Sequence, residues 1–214
     1  MKQFFIMLVA VLLLIGLAGM GYMYSGAFNV AATSKDSALL SWILETTRES
    51  SIESRAEDIK PLEEAELNKP EMLSEGFEHY NEMCVVCHGA PGVDAGEARE
   101  GLNPKPPLLA KLKDVSTDPA NELFWIIKNG IKMTAMPAWG PTHSDEKIWA
   151  MTAFVRKLPT MTPAEYQTMR EQMKASGHSH ESGHSHDAGH EEMGSEMPAA
   201  KSGHTHTHDE AHKH

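Results

Sequence analysis

The chain opens with a long apolar segment followed by polar sequence. No charged residue occurs from Gln3 to Ser34, and residues 4–24 are nearly all apolar. A helix of that length, at about 1.5 Å per residue, is roughly 31 Å long and can cross a bilayer core. The apolar pattern therefore predicts that residues 1–34 form a retained transmembrane anchor. A signal peptide is the alternative, because Ser25-Gly26-Ala27 offers a weak cleavage site.

The charge around this segment predicts its orientation. Lys2 and the terminal amine lie on its short side. Positive charge favours the cytoplasmic side of a membrane, so we expect everything after Ser34 to lie outside.

Residues 35–70 are polar and acidic, with apolar residues at helical spacing. These are Leu39, Leu40, Ile43, Leu44, Ile52, Ala56 and Ile59, before Pro61 and Pro70 interrupt the pattern. We expect a partly helical spacer that holds the next segment off a membrane or packs along its side. A solvated linker with transient helix is the alternative. Trp42 is a candidate for the membrane interface, where indole rings are favoured.

Residues 71–162 carry helical patterns that predict one folded domain. Leu73, Phe77, Tyr80 and Cys84 step by four, three and four residues, which places them on one helical face. A loop rich in glycine and proline follows, at residues 89–107.

Two further helices have recognisable ends. We expect the first to have Asp118 as N-cap, Pro119 at its first helical position and Gly130 just after its last turn. The second has Ser144 as N-cap and Pro159 as its stop. A domain this small has a small core, so a large apolar cofactor would add to its stability.

Composition narrows the function. The net charge of −11 divides into +1 for residues 1–34, −4 for 35–70, −3 for 71–160 and −5 for 161–214. No segment is basic, which argues against nucleic acid as a partner. The chain has two cysteines, and both lie within four residues of each other.

These cysteines belong to the stretch Cys84-Val-Val-Cys87-His88. Its layout is that of c-type haem attachment, in which each cysteine adds to a haem vinyl group and the histidine becomes an axial iron ligand. A redox-active thiol pair needs no following histidine. A zinc site is disfavoured for two reasons. The adjacent residues Cys87 and His88 are poorly placed to bind one tetrahedral ion, and the chain has no further cysteine to complete the ligand set. We therefore expect one covalent haem c. Its candidate walls are Leu108, Leu109, Leu112, Ile131 and Trp139.

The presence or absence of a second axial ligand on the haem iron distinguishes two classes of protein. Electron carriers have both ligands, whereas proteins that act on oxygen or peroxide leave one iron position open. Met136 lies on a loop beyond the Gly130 helix stop and is fixed by the following Pro137. We predict Met136 as the ligand. Met133, His143 and His79 are its rivals, and a gap-filling role near the haem edge is the alternative for Met133.

Several motifs together resemble a class I cytochrome c. They are Gly76…Tyr80…Cys84-Val-Val-Cys87-His88-Gly89, Asn103-Pro-Lys-Pro-Pro107-Leu108, Leu123-Phe-Trp-Ile-Ile-Lys-Asn-Gly130, Thr134-Ala-Met136-Pro137-Ala-Trp-Gly140 and Ile148-Trp-Ala-Met-Thr-Ala-Phe154-Val-Arg-Lys-Leu158-Pro. The resemblance covers about residues 71–160 and is greatest to the small domains of haem-copper oxidase subunits. Phe154 stands where many relatives carry tyrosine.

The resemblance implies an all-α fold of three to five short helices around one haem, with His88 and Met136 as iron ligands. It also implies that the first and last helices of the domain cross where Gly76 meets Phe154. A proline carbonyl in the Pro106-Pro107 region should accept a hydrogen bond from the His88 ring. It implies one-electron transfer rather than catalysis. Expected partners are a quinol-oxidising complex and a terminal oxidase or reductase. The expected location is a bacterial inner membrane, with the haem on the periplasmic side.

The last segment, residues 163–214, is predicted to be a short helix followed by a low-complexity tail without a fold. The tail contains ten of the thirteen histidines. Two interpretations stay open: a solubilising, pH-sensitive tail, or a metal-handling tail for Cu, Ni or Zn. The tentative metal ligands are His178, His180, His184, His186, His204, His206 and His208. A haem sensor with an open iron site is a further alternative function.

Overall fold

The computed structural model describes residues 1–176, and its regular elements in that range are helical. The α-helices are α1 Lys2–Tyr24, α2 Ala38–Ala56, α3 Glu64–Leu67, α4 Pro70–His79, α5 Val85–His88, α6 Ala120–Asn129, α7 Asp145–Lys157 and α8 Pro163–Ala175. Short 3-10 turns lie at Glu97–Gly101, Leu109–Lys111, Lys113–Ser116 and Leu158–Thr160. The predicted all-α class is confirmed for the described residues.

Helix α1 coincides with the N-terminal apolar segment. Its 23 residues have a mean hydropathy of 2.7 in the most apolar window, and none of that window is buried. At about 1.5 Å per residue the helix spans about 34 Å, enough for a bilayer. A signal sequence also meets this standard, so the choice between anchor and signal peptide stays a prediction.

Helix α2 occupies the acidic spacer. Its N-cap is Ser37, whose side chain accepts a hydrogen bond from the backbone of Leu40 at 3.2 Å. The C-terminal half is packed, because Ile52 and Ala56 are buried. The Asn121 side chain of α6 donates to the Ala56 carbonyl at 2.8 Å. The spacer therefore forms a helix that lies along the domain.

The crossing of α4 and α7 is the centre of the fold. Gly76 is buried, and a Cβ atom added there would overlap the Ala150 carbonyl and lie 2.8 Å from Cβ of Phe154. Only glycine allows the two helices to approach this closely. The predicted meeting of Gly76 with Phe154 is confirmed.

Aromatic rings fill the space around that crossing. Phe77 contacts Phe154 edge-on at 5.5 Å between ring centroids, and Tyr80 lies 5.4 Å from the Phe154 ring. Tyr166 of α8 packs against Phe77 at 5.4 Å and is fully buried. Helix α8, which begins with a capping box of Thr162 and Glu165, thus adds to the same core. The predicted domain boundaries at residues 34, 70 and 162 stay predictions.

The ends of α6 and α7 were predicted to within one residue. Helix α6 ends at Asn129 with Gly130 as its C-cap, as expected, but it starts one residue later than expected. Pro119 is its N-cap with a non-helical ψ of 123°, so the prediction of Asp118 as N-cap was wrong. The backbone amide of Asp118 instead donates to the carbonyl of Asp114, which closes the preceding turn. Ser144 is the N-cap of α7, as predicted.

Candidate haem site

The two cysteines lie where α4 passes into α5. Tyr80–Cys84 form a π-helical turn, in which the amide of Val85 donates to the carbonyl of Tyr80. Such a turn contains one residue more than an α-helical turn. The regular α-helical spacing assumed from Leu73 to Cys84 therefore ends at Tyr80. The extra residue changes the direction in which the following side chains leave the helix.

Both thiols are half-buried and neither forms a disulfide. Burial, followed by the neighbouring Cys87 thiol, raises the pKa of Cys84 to about 12. A reactive redox thiol needs a lowered pKa, so this environment does not suit a thiol-exchange pair. Among residues 1–176, no three His, Cys, Asp or Glu side chains form a cluster that could hold a metal ion.

The imidazole of His88 is held by the chain on one side. Its Nδ1 lies 2.8 Å from the carbonyl oxygen of Pro107, which can only accept, so Nδ1 carries the proton. The predicted hydrogen bond to a proline carbonyl is confirmed, and it leaves Nε2 with a free lone pair. Burial lowers the pKa of His88, against the raising effect of this hydrogen bond, and nearby Arg99 lowers it further. A neutral ring with one free nitrogen is the form that binds iron.

Two neighbouring groups support this arrangement. Arg99 is half-buried, and its Nε donates to the Pro106 carbonyl at 2.9 Å. It therefore stabilises the loop that presents the Pro107 carbonyl. The hydroxyl of buried Tyr80 donates to the carbonyl of Gly89 at 2.5 Å, just beyond the histidine. The sequence did not predict the role of Arg99, because no local pattern marks which arginine turns inward.

The loop that carries Met136 is fastened to the end of α6. The amide of Ile131 donates to the Met136 carbonyl at 3.2 Å, and the amide of Met136 donates to the Thr134 hydroxyl oxygen at 3.1 Å. Gly130 has a φ of +65°, and a Cβ atom there would lie 2.7 Å from the Met136 carbonyl oxygen. Glycine is therefore required both for the turn and for the close approach. Thr134 is a second supporting residue whose role the sequence analysis missed.

Met136 and its rivals differ in their surroundings. Met136 is half-buried and packs against the core, whereas Met133 is 91% exposed. The gap-filling alternative for Met133 at the haem edge stays a prediction. His79 and His143 pair with one another at 5.0 Å between ring centroids in an edge-on contact. The assignment of Met136 as iron ligand stays a prediction.

The residues proposed as haem walls are mostly half-buried. Leu108, Leu109, Ile131 and Trp139 keep part of their apolar surface accessible, and Leu112 is 40% exposed. The Leu108 side chain lies beside the haem motif, since a Cβ atom on Gly89 would be 3.4 Å from it. These side chains offer apolar surface that a porphyrin can cover.

The residues present thus fit a covalent haem. Two free thiols lie three positions apart, and the adjoining imidazole has one nitrogen fixed by a carbonyl and the other free. This donor set is what c-type attachment and axial ligation require. The seven histidines named as tentative tail ligands, from His178 to His208, lie outside the described residues.

Comparison with known proteins agrees with this geometry. Residues 71–155 match the family model described as cytochrome C oxidase, cbb3-type, subunit III. A search of curated proteins found no match. The matched range contains the cysteines, His88 and Met136, and the crossing of α4 with α7. Residues 71–155 are therefore a mono-haem class I cytochrome c domain similar to those of haem-copper oxidase subunits.

Proposed function

We propose that this protein is a membrane-tethered one-electron carrier with a single c-type haem, ligated by His88 and Met136. It would pass electrons in a periplasmic respiratory chain, from a quinol-oxidising complex to a terminal oxidase or reductase, as a partner or a subunit. The observation that carries the proposal is the fixed His88 ring beside two free thiols, within a cytochrome c domain.

The residues that would hold the haem have distinct roles. Cys84 and Cys87 would form the thioether bonds, and His88 would bind iron through Nε2. A haem with histidine and methionine ligands supplies reversible one-electron chemistry at a raised potential.

Rigid positioning of both ligands supports electron transfer over bond-making chemistry. The Pro107 carbonyl fixes the plane of the His88 ring, and Arg99 holds the neighbouring Pro106 carbonyl. In the methionine loop, the amides of Trp139 and Gly140 donate to the carbonyls of Ile127 and Lys128 and so fasten the loop to α6. Ligands that are held in place keep the same arrangement in both oxidation states, so little reorganisation accompanies a gain or loss of an electron.

The apolar α1 helix supports the membrane part of the proposal. A helix of its length and hydropathy can act as an anchor, and the single basic residue at its start favours an outward orientation for the rest of the chain. Anchoring would keep the haem domain at a raised local concentration near membrane partners.

Replacement of Met136 tests the ligand assignment and the function together. We expect the ferric holoprotein to show the weak sulfur-to-iron band in the far red, and Met136→Ala to lose it. The ferrous form of that variant should also bind carbon monoxide, because the sixth position is then open. The reduction potential should fall, since thioether ligation raises it.

Met133→Ala is the matched control, because it removes an exposed methionine from the same loop. It should keep the band and the potential. Loss of the band in Met133→Ala would assign the ligand to Met133. Absence of the band from the unmodified protein, together with carbon monoxide binding, would favour the haem sensor with an open iron site.

A further inference from the structure

We propose that the first two turns of α2, residues 38–44, form a second membrane contact that lies in the bilayer interface. This inference rests on the proposed anchoring by α1 and adds a fixed orientation of the haem domain. We define these two turns as the apolar end of α2. Its sequence is Ala-Leu-Leu-Ser-Trp-Ile-Leu, without a charged residue.

The two halves of α2 differ in burial. In the C-terminal half, Ile52 is 7% exposed and Ala56 is fully buried against the domain. In the apolar end, Leu39 is 66% exposed and Trp42 is 63% exposed. The packing that buries one half therefore leaves large apolar side chains uncovered in the other.

These exposed side chains share a face. Leu39, Trp42 and Ile43 are spaced by three and four residues, which brings them together on one side of a helix. The same side continues with Thr46 and Ser50, so it turns polar after two turns. A face that is apolar only at one end fits a helix whose start touches a membrane and whose remainder leaves it.

Charge follows the same gradient along the helix. The acidic residues of α2 begin at Glu45 and continue with Glu49 and Glu53, beyond the apolar end. Lys35 and Asp36 lie just before the helix and cancel one another, so the start of α2 carries no net side-chain charge. Carboxylates near a bilayer are unfavourable, whereas basic residues near anionic headgroups are favourable. The distribution matches a membrane beside the start of α2.

The connection from α1 limits how far that start can lie from the bilayer. Residues 25–37 connect the two helices, and a fully extended connection of this length spans at most about 43–47 Å. The connection also carries no charge from Ser25 to Ser34, and it exposes Phe28 and Val30. An uncharged connection with exposed apolar side chains can follow the membrane surface.

The connection is also tied to the haem domain. The Asn103 side chain donates to the carbonyl of Ser34 at 3.1 Å. Asn103 belongs to the loop that continues to Pro107, whose carbonyl holds His88. A membrane contact by α2 would therefore restrain this loop and limit the orientations in which the domain can meet a partner.

A bilayer is favoured over a protein partner as the occupant of this face, because α1 brings it close in every copy. Trp42 supports the choice, since indole rings settle at the headgroup level of membranes. A second copy of the chain or another protein on the same face would be recognised as separate outcomes of the following test.

The test uses the full-length holoprotein in nanodiscs of phosphatidylcholine brominated near the headgroup or deep in the acyl chain. Emission of Trp42 is obtained by subtracting the emission of a Trp42→Phe variant, since three other tryptophans lie in the haem domain. We expect shallow bromines to reduce the Trp42 emission roughly by half and deep bromines to reduce it less, because indole favours the interface. Iodide in solution should reach Trp42 poorly.

Two double variants sharpen the result. Leu39→Glu with Ile43→Glu should release Trp42, so that lipid quenching is lost and iodide quenching appears. Ser50→Glu with Ser54→Glu is the matched control, because it adds the same charges at the same spacing beyond the apolar end. The control should behave as the unmodified protein, with an unchanged haem spectrum in both variants.

The outcomes separate this inference from the anchoring. If haem absorbance stays with the discs while Trp42 is open to iodide and insensitive to bromine, anchoring stands and the second contact is refuted. If Trp42 is shielded from both quenchers, a protein surface covers it instead, which also overturns the inference. If haem absorbance leaves the discs, the anchor itself fails and the second contact fails with it.

Discussion

The two sides of the haem domain differ in how their side chains are buried. At the crossing of α4 with α7, Tyr80, Phe154 and Tyr166 are fully buried. On the side of the cysteines and the methionine loop, Met83, Met136 and Trp139 are only half-buried. One side is closed by side chains from three helices, and the other presents apolar surface at a site built from loops.

The difference shows how stability and chemistry are divided in a small domain. The crossing depends on shape, since Gly76 and the aromatic rings must fit closely. The site depends on backbone hydrogen bonds that orient a few side chains, such as those of the Pro107 and Gly89 carbonyls.

The largest effect is expected from Phe154→Ala. The ring contacts Phe77, Tyr80 and Tyr166, so its removal leaves a cavity at the crossing. We expect a loss of about 3–5 kcal/mol in the free energy of unfolding, measured by urea denaturation of the holoprotein. Phe28→Ala is the control, because Phe28 is 50% exposed and should change little. A loss below about 1 kcal/mol in Phe154→Ala would contradict the proposed closed crossing.

Gly76→Ala should have the next largest effect. The added Cβ atom would overlap the Ala150 carbonyl, so the helices must move apart. We expect about 1–3 kcal/mol of destabilisation, measured in the same way. Gly101→Ala is the control, because a Cβ atom there meets nothing within 4 Å. Equal stability of the two variants would show that α4 and α7 leave room for a side chain at Gly76.

Tyr80→Phe tests a contact between the two sides. The substitution keeps the ring in the core but leaves the buried Gly89 carbonyl without its hydroxyl donor. We expect a loss of about 1–2 kcal/mol in stability, because an unpaired buried carbonyl is costly. Tyr166→Phe removes a longer bond of 3.1 Å to the Asn81 side chain and should cost less. A reversal of this order would show that the Gly89 carbonyl finds another donor.

The smallest effect concerns pH. Burial first, then the charges of His143 and Lys147, lower the pKa of His79, while Glu75 and Glu82 raise it less. The folded state therefore binds a proton less readily than the unfolded state. His79 should cost no stability above the unfolded pKa of 6.5 and should destabilise the fold as the pH falls below it.

His79→Gln removes this titration and provides its check. Unfolding free energies should be measured from pH 7.5 down to pH 5, a range of about two to three pH units around the histidine pKa. The unmodified protein should lose more stability than His79→Gln over this range. Parallel curves for the two proteins would show that His79 is not the titrating group.

The helices were predictable because their signals are local. Periodic apolar residues and the end signals at Gly130 and Ser144 need only neighbouring sequence, and the structure confirms them. The start of α6 was misplaced by one residue because Pro119 can occupy either of two adjacent positions. The π-helical turn at Tyr80–Cys84 was not predicted, since its extra residue leaves no mark in the spacing.

The amino-acid sequence alone determined the chemistry of this protein. The haem fixes the spacing of the motif that contains Cys84, Cys87 and His88. These three residues were therefore enough to recognise haem attachment from the sequence. Only the tertiary structure decided which groups hold that chemistry in place. Arg99 reaches the Pro106 carbonyl and Tyr80 reaches the Gly89 carbonyl, and these backbone partners are set by packing rather than by sequence spacing. The same packing decided that one half of α2 is covered and the other is exposed.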